Sequence, residues 1–543
     1  MRSGDLQRRP ASLARLIHAP ILALARRPAT LAALGYTLLA VAWAMSNAPF
    51  GAPDEPAHYV RALGVSEGHV IGTHVTIAPS DQPDPVIRAW VQDETRALRV
   101  PAGLSPVGYT CMAFDYQIPA SCQFAAHPAA ASTTFASTAG TFQPLPYLLP
   151  AAVVRLDSHP AGALRLARLA ALLPCLVLIA AALLVLVDGD ALGLVGPLVA
   201  LTPQVIFVSA SMSENGIEMA SSIAWTAALI ALSRERSAGM TAGRLRRRWL
   251  FAGMAGLLLA LSRSLGPGWI ATDLACVLLV LGWRALWTAA RATPRTAAAA
   301  TAAVVGGVVI NRIWEAAYAS YPHIGLIPSH TALHHQVVEG SALFATMVAR
   351  FGWLDTFPPW PLVALWGVLA FTLIAVAVRV SGRRARCALP GVSLAVLLGS
   401  VWFSAVMWDA SHFEIQGRDV LAGIVVLPLL AGELIRRRRS ALGPYLRRAL
   451  VPVTAALVAL VQLWCFFVNG QRNAVGSLGR RLFFLAPKWS PPAGWYPWLV
   501  LALGGCAAVA LAGWRAGNES TGSRAVSLAE ARPRRAAGAP TSA

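Results

Sequence analysis

Apolar runs of about 20 residues recur along the chain, and short polar segments separate them. A helix needs an apolar run of about this length to cross the hydrocarbon core of a bilayer. We therefore predict about 12 membrane-spanning helices. The predicted spans are 29–49, 163–187, 191–210, 214–233, 249–263, 267–288, 296–318, 360–379, 390–409, 418–435, 449–469 and 496–514.

This pattern predicts an all-α, polytopic membrane protein. A basic segment, 1–28, precedes a transmembrane domain over 29–514, and a tail predicted to be disordered follows over 515–543. The longest polar interruption is the loop 50–162, which we expect to be partly helical. A cleaved signal peptide is the alternative for 29–49. That run is too long for a typical signal core and has no convincing cleavage site, so we predict an uncleaved first span.

The composition supports a membrane protein. The chain is 56% hydrophobic and 13% charged, with a mean hydropathy of +0.57, whereas soluble domains carry about 25% charged residues. A net charge of +20 could indicate nucleic-acid binding. The arginines, however, occur in short clusters between apolar runs, as in cytoplasmic loops. We therefore predict a lipid bilayer as a partner and no nucleic acid.

The basic clusters test the predicted spans. When the sides of the membrane alternate from a cytoplasmic N-terminus, every cluster falls on the same side, and both termini are predicted to be cytoplasmic. Arginine supplies nearly all the cations, and together with alanine-rich spans this is typical of a GC-rich bacterial genome. We therefore predict the bacterial cytoplasmic (inner) membrane. The clusters lie at 2–27, 234–248, 284–295, 379–386, 436–448 and 515–535.

The opposite side carries nearly all the acidic residues and histidines near the spans. Its first motif, "PDEPAH", places Asp54, Glu55 and His58 at the outer end of the first span. An N-cap for a following helix is one interpretation, because Asp and Pro favour helix starts. Two adjacent carboxylates at an interface also suit a water-filled cavity or a cation. We predict Asp54 and Glu55 as catalytic, acting as a general base or holding Mg²⁺ or Mn²⁺, and His58 as substrate-binding.

Two outer arginines are candidates for binding an anion. Arg418 lies in "EIQGRD" (414–419) together with Gln416, and Arg263 ends the fifth predicted span. The planar guanidinium fork suits phosphate oxygens. Snorkelling to the interface is the alternative for both arginines. We predict Arg418, Gln416 and Arg263 as substrate-binding.

Three further features complete the candidates. Glu218 lies one turn inside the span 214–233, and an acidic residue within a span is a functional candidate by default. Asp355 in "FGWLDT" is a weaker candidate. Cys111 and Cys122 share the first outer loop, where an oxidising compartment favours a disulfide.

Five motifs together indicate a family resemblance. The chain resembles the bacterial multi-pass proteins of domain-of-unknown-function family 2142, which are thought to be relatives of the GT-C glycosyltransferases. In two motifs the sequence departs from the pattern: Glu214 and Asn215 replace an Asn-Pro-Asp type sequence, and Asp419 replaces an aromatic residue. The motifs are "PDEPAHYVRALGVSEGH", "QPLPYLLPA", "LTPQVIFVSASMSENGIEMA", "FGWLDT" and "EIQGRDVLAGIVVLPLL".

The resemblance implies an activity. GT-C enzymes have many spans and a long first outer loop with an acidic catalytic base near its start, and their donors are sugars on polyprenyl phosphate. Carried over, Asp54 becomes the base and Glu55 its neighbour or a cation ligand. We therefore expect sugar transfer from a polyprenyl-phosphate donor to an envelope glycan, lipid or protein. The alternatives are a transporter or flippase of a lipid-linked or anionic substrate, and a non-catalytic envelope assembly protein.

Overall fold

The computed structural model describes residues 27–127, 131–234, 241–319 and 325–530, with the backbone alone for 519–530. All but the last two residues of the predicted basic N-terminal segment lie outside these ranges, as does the end of the predicted tail.

Within the described residues the chain forms nineteen α-helices. In chain order they are α1 Pro28–Ser46, α2 Glu55–Ser66, α3 Pro85–Glu94, α4 Leu148–Val153, α5 Pro160–Val187, α6 Val195–Ala200, α7 Pro203–Ser209, α8 Glu214–Leu232, α9 Ala242–Ser262, α10 Gly266–Leu281, α11 Arg284–Ala292, α12 Pro294–Tyr318, α13 His330–Val348, α14 Trp360–Val380, α15 Arg383–Ser411, α16 Gly417–Ile424, α17 Val426–Arg437, α18 Pro444–Val475 and α19 Tyr496–Glu530. The last helix continues beyond the predicted boundary of the disordered tail at residue 514.

A helix or a broken helix occupies each predicted span, yet the predicted number of spans is not confirmed. Among the described residues, seven helices are long and apolar enough to cross a membrane, and two bent pairs raise the number to at most nine. The other predicted spans are more polar or shorter. Helix α8 carries Glu214 and Glu218, α9 begins in an arginine cluster, and the range 418–435 is divided between the short helices α16 and α17. Apolar runs therefore predicted helices better than they predicted crossings.

Two ranges predicted as single spans are bent. The range 191–210 bends by 71° between α6 and α7, where Pro203 begins a new helix whose cap is the Thr202 hydroxyl. The range 267–288 bends by 107° between α10 and α11. Gly282 lies at this bend with φ 90°, a conformation that residues with a Cβ rarely adopt.

The first outer loop forms a small sheet that the all-α prediction did not include. Three antiparallel strands lie in the order β1, β2, β3, with Leu98 paired to Phe135. Helix α2 packs on β2 over a core that contains Tyr59 and Val100. The loop is therefore a folded unit with its own small core, beside the outer end of α1. The strands are β1 Thr73–His74, β2 Arg96–Val100 and β3 Thr133–Ser137.

The main core lies between the helices. Trp43 of α1 packs against the rings of Phe207, Phe351 and Phe466, with centroids 4.9–5.4 Å apart. Helix α1 also lies against α19, where a Cβ on Gly35 would come within 2.7 Å of a carbonyl oxygen of α19. Close backbone approach through small residues is typical of packed membrane helices. This packing holds the end of α1, and with it the first motif, in a defined position.

Candidate functional site

Asp54 directly precedes α2, but its side chain does not cap that helix. Its backbone has φ 61° and ψ 2°, in the left-handed region that Asp tolerates better than most residues. The carboxylate instead pairs with the guanidinium of Arg418. The Asp54 side chain is 48% exposed and that of Arg418 only 9%. The backbone conformation thus directs an accessible carboxylate towards a motif that lies 364 residues later in the chain.

Arg418 belongs to the first turn of α16. A Cβ on the preceding Gly417 would lie 2.1 Å from the backbone nitrogen of Met347, so glycine permits α16 to lie directly against α13. Nη1 of Arg418 is 3.5 Å from the carbonyl of Pro53, and its Nε has no hydrogen-bond partner among the described residues. A nearly buried guanidinium therefore keeps donor capacity for an anion.

Arg263, the residue after α9, is surrounded by three carboxylates. Its Nη1 lies 2.6 Å from Oδ1 of Asp419 and 4.0 Å from Oε2 of Glu218, and its Nε lies 3.4 Å from Oε1 of Glu214. Neither oxygen of the fully buried Glu218 has a hydrogen-bond partner among the described residues. The structure thus brings the two predicted residues Arg263 and Glu218 together.

Glu214, one of the three carboxylates around Arg263, also contacts His58 of the first motif. Nδ1 of His58 lies 2.7 Å from the Tyr147 hydroxyl and 3.1 Å from Oε2 of Glu214, and all three side chains are buried. His58 therefore connects α2 to the start of α8.

Glu55 has a different environment from its neighbour. It is fully buried, and Arg168 of α5 donates to both its oxygens, Nε at 2.7 Å and Nη2 at 2.6 Å. The backbone N–H of Met212 also donates to Glu55. Arg168 donates further to three carbonyls at the end of α1. Both oxygens of Glu55 accept hydrogen bonds and its side chain is not exposed, so Glu55 links helices rather than facing a substrate or a cation. This differs from the catalytic role that the sequence predicts.

Gln416 occupies the N-cap position of the helix that carries Arg418. The Asp419 carboxylate caps the start of α16, since its Oδ2 accepts from the Gln416 N–H at 3.1 Å. Oε1 of Gln416 has no hydrogen-bond partner among the described residues. Gln416 also lines a polar cavity of about 110 Å³ beside α13. The bond between the Gln416 N–H and Asp419 therefore fixes the start of the helix that carries Arg418.

One acidic residue near the site was missed in the sequence. Glu94, at the end of α3 in the outer loop, interacts electrostatically with Arg263, Asp54 and Glu214. Burial raises the pKa of Glu94 to about 8, against the opposing effect of the Arg263 guanidinium. No motif marks Glu94, since only the folding of the loop over the helices brings it here.

The start of α3 is attached to the end of α15. Nδ1 of His412 lies 2.8 Å from Oδ2 of Asp84, and this hydrogen bond lowers the pKa of the Asp84 carboxyl. Asp84 also caps α3 through the N–H groups of Val86 and Ile87. Helix α3 is thereby held over the group of charges that contains Asp54 and Arg263.

An apolar groove starts beside this group. It has a volume of about 500 Å³ and lies between α10 and α15, from Leu265 and Trp269 to Leu279 and Val392. Leu265 is two residues from Arg263. The groove therefore extends along the helices away from the charged residues.

The Asp355 motif supports the scaffold. The Asp355 carboxylate lies 2.6 Å from Nη2 of Arg472 on α18, and both residues are buried. Arg472 also donates to carbonyls of the outer-loop segment that a disulfide between Cys111 and Cys122 closes. This arrangement fastens the outer loop to α18.

The predicted divalent cation has no assigned ligands. Among the described residues, no group of three or more His, Cys, Asp or Glu side chains is arranged to hold a metal ion.

Comparison with a family model places the chain in a family. The model of the family described as "Predicted membrane protein (DUF2142)" matches residues 37–430. Two solved structures of ArnT from Cupriavidus metallidurans, one apo and one bound to undecaprenyl phosphate, are similar to the chain at 13% identity and a TM-score of 0.39. Each comparison covers 95% of this chain and 79% of that one. No curated protein matches the sequence. Since the family match spans well over half of its length, the chain belongs to the DUF2142 family of predicted membrane proteins.

Proposed function

We propose that this protein is a membrane glycosyltransferase that moves a sugar from a polyprenyl-phosphate donor to a hydroxyl of an envelope acceptor on the extracytoplasmic face. The observation that carries the proposal is the pair formed by Asp54 and Arg418. An accessible carboxylate and a nearly buried guanidinium with a free donor lie side by side. Transfer from a lipid phosphate requires both groups, a base for the acceptor and a cation for the leaving phosphate.

The pair suggests an order of events. Phosphate oxygens of the donor compete with Asp54 for the Arg418 guanidinium, whose planar fork suits them. Asp54, released from its partner, then accepts the proton of the acceptor hydroxyl as that oxygen attacks the anomeric carbon. The bond from the anomeric carbon to the phosphate oxygen breaks, and polyprenyl phosphate leaves with its charge stabilised by Arg418.

The apolar groove fits the lipid part of such a donor. A polyprenyl chain is apolar throughout, and the apolar lining of the groove between α10 and α15 can pack against it without removing polar groups from their partners. Because the groove starts two residues from Arg263, a chain lying in it brings its phosphate to the charged group. The proposed donor would then place its lipid in the groove and its phosphate near Arg263.

A transfer assay with purified protein and polyprenyl-phosphate sugars tests the proposal. Asp54→Asn keeps the shape of the side chain and tolerates the left-handed backbone, but it cannot accept the proton, so turnover should fall by about 10²–10⁴-fold. Asp81→Asn, a matched change at an exposed carboxylate of the same loop, should retain wild-type turnover.

Three results would overturn the proposal. Equal turnover of the Asp54→Asn and wild-type proteins, both folded, would remove Asp54 from catalysis. Movement of labelled donor across proteoliposomes without sugar transfer would instead establish the transporter or flippase, and donor binding with neither activity would indicate an assembly protein.

A further inference from the structure

Another cavity, which the proposed function does not use, lies at the other end of the helix bundle. It has a volume of about 290 Å³ and opens where α14 ends and α15 begins, beside the end of α17. Helix α15 spans 29 residues, or about 43 Å, and its far end is attached to the outer loop through His412. The cavity is therefore about one bilayer thickness away from the outer end of that helix.

Arginines dominate the wall of this cavity, and the residues that line it include no Asp or Glu. Two arginines are held in place. Arg384 donates to backbone carbonyls at the end of α10, and Arg437 pairs with Glu433 and donates to Ser233. The other two, Arg383 and Arg438, are exposed and have no carboxylate partner among the described residues. The cavity thus has positive charge that its surroundings do not neutralise.

The start of a long helix adds to this charge. Helix α15 begins at Arg383, and its N-cap is Gly382, which has no side chain to cap the first turn. The Arg438 guanidinium lies against Gly382. Unpaired N–H groups and the helix dipole make such an end favourable for anions, phosphate in particular.

A buried hydroxyl provides an independent observation. Ser381 lines the cavity and is only 3% exposed, and its Oγ has no hydrogen-bond partner among the described residues. Buried hydroxyls in native proteins nearly always have a partner. A ligand oxygen in the cavity would supply one.

We propose that this cavity binds the phosphate group of an anionic membrane phospholipid. Phosphate oxygens would accept from the first-turn N–H groups of α15, from the Ser381 hydroxyl and from the guanidiniums of Arg383 and Arg438. The bidentate geometry that arginine offers suits a phosphodiester. Inorganic phosphate has the same chemistry, and the experiment separates the two sources. The inference is independent of the proposed transferase activity.

Lipid binding to the purified full-length protein in detergent tests the site. The probes are phosphatidylglycerol, zwitterionic phosphatidylcholine and inorganic phosphate, with binding measured by native mass spectrometry. The double variant Arg383→Gln/Arg438→Gln should bind phosphatidylglycerol at least about tenfold more weakly than wild type. Arg379→Gln, which removes an exposed arginine from the same end of α14 but outside the cavity, should bind it as wild type does.

One more variant and a competition experiment test the hydroxyl and identify the ligand. Ser381→Ala should weaken binding by about threefold or more, the loss of one hydrogen bond, and it keeps the test informative if the double variant does not fold. Displacement of phosphatidylglycerol by millimolar inorganic phosphate would identify the free anion as sufficient, and its failure to displace would identify the lipid headgroup. Equal loss of binding in Arg379→Gln, equal binding of phosphatidylcholine, or unchanged binding in both cavity variants would overturn the proposal.

Discussion

Asp54 and Glu55 are neighbours in the chain, yet their ion pairs differ in kind. Asp54 is half exposed, and its partner Arg418 keeps a free donor. Glu55 and its partner Arg168 are both fully buried, and their donors and acceptors are engaged with each other and with backbone groups. The first pair can exchange partners with a ligand, because water already reaches its carboxylate. The second cannot do so without exposing a charge to a dry interior, and so it belongs to the scaffold.

The same difference separates other charged motifs. Asp355 and Arg472 form a second closed pair, which fastens the outer loop to α18. Arg263 is intermediate, since it is 21% exposed and shares three carboxylates. Accessibility of the pair, rather than the motif in which it occurs, distinguishes residues that could act on a substrate from those that hold helices together.

The largest expected effect comes from removing the cation of the buried pair, and the same change in the accessible pair is its control. Arg168→Gln leaves Glu55 buried without a counterion and should lower the free energy of unfolding by about 3–5 kcal/mol. Arg418→Gln leaves Asp54 in contact with water and should lower it by about 1 kcal/mol or less. Thermal unfolding of both variants, monitored by size-exclusion chromatography, measures the difference. Equal destabilisation of the two variants would show that the buried and accessible pairs contribute equally to stability.

A smaller loss is expected at the second closed pair. Asp355→Asn removes the charge, but Arg472 keeps its bonds to outer-loop carbonyls, so we expect a loss of about 2–3 kcal/mol. The matched change Asp54→Asn should reduce the free energy of unfolding by under about 1 kcal/mol. If Asp355→Asn unfolds no more easily than Asp54→Asn, the Asp355 pair does not carry the scaffold role.

The smallest effect concerns pH. Burial raises the pKa of Glu94 to about 8 from its ordinary value of 4.5. Its contribution to stability is therefore full below the ordinary value, declines as the pH rises, and is lost once the pH passes about 8. The wild type should therefore lose free energy of unfolding relative to Glu94→Gln as the pH rises from 5 to 8.5. A constant difference in unfolding midpoint across this range would show that Glu94 does not titrate there.

Several features could be predicted from sequence because they depend on local pattern. Apolar runs gave the positions of the helices, and the first and last motifs contained the two partners of the accessible pair. One signal was available and not used: Arg168 lies inside the predicted span 163–187, and a charge within a span usually has a dedicated partner. It would have indicated a buried acid before the structure showed that this acid is Glu55.

The chain itself determined that this is a mostly helical membrane protein and on which helix ends its charged motifs lie, because hydrophobic run length and helix-terminal residues act locally. Only the tertiary structure decided which carboxylate stays accessible. Asp54 and Glu55 are adjacent in the chain. The left-handed backbone of Asp54 directs its carboxylate towards Arg418. The packing of α1, α2 and α5 encloses Glu55 with Arg168. Pairings across 364 and 113 residues depend on how helices pack, and no local pattern encodes that.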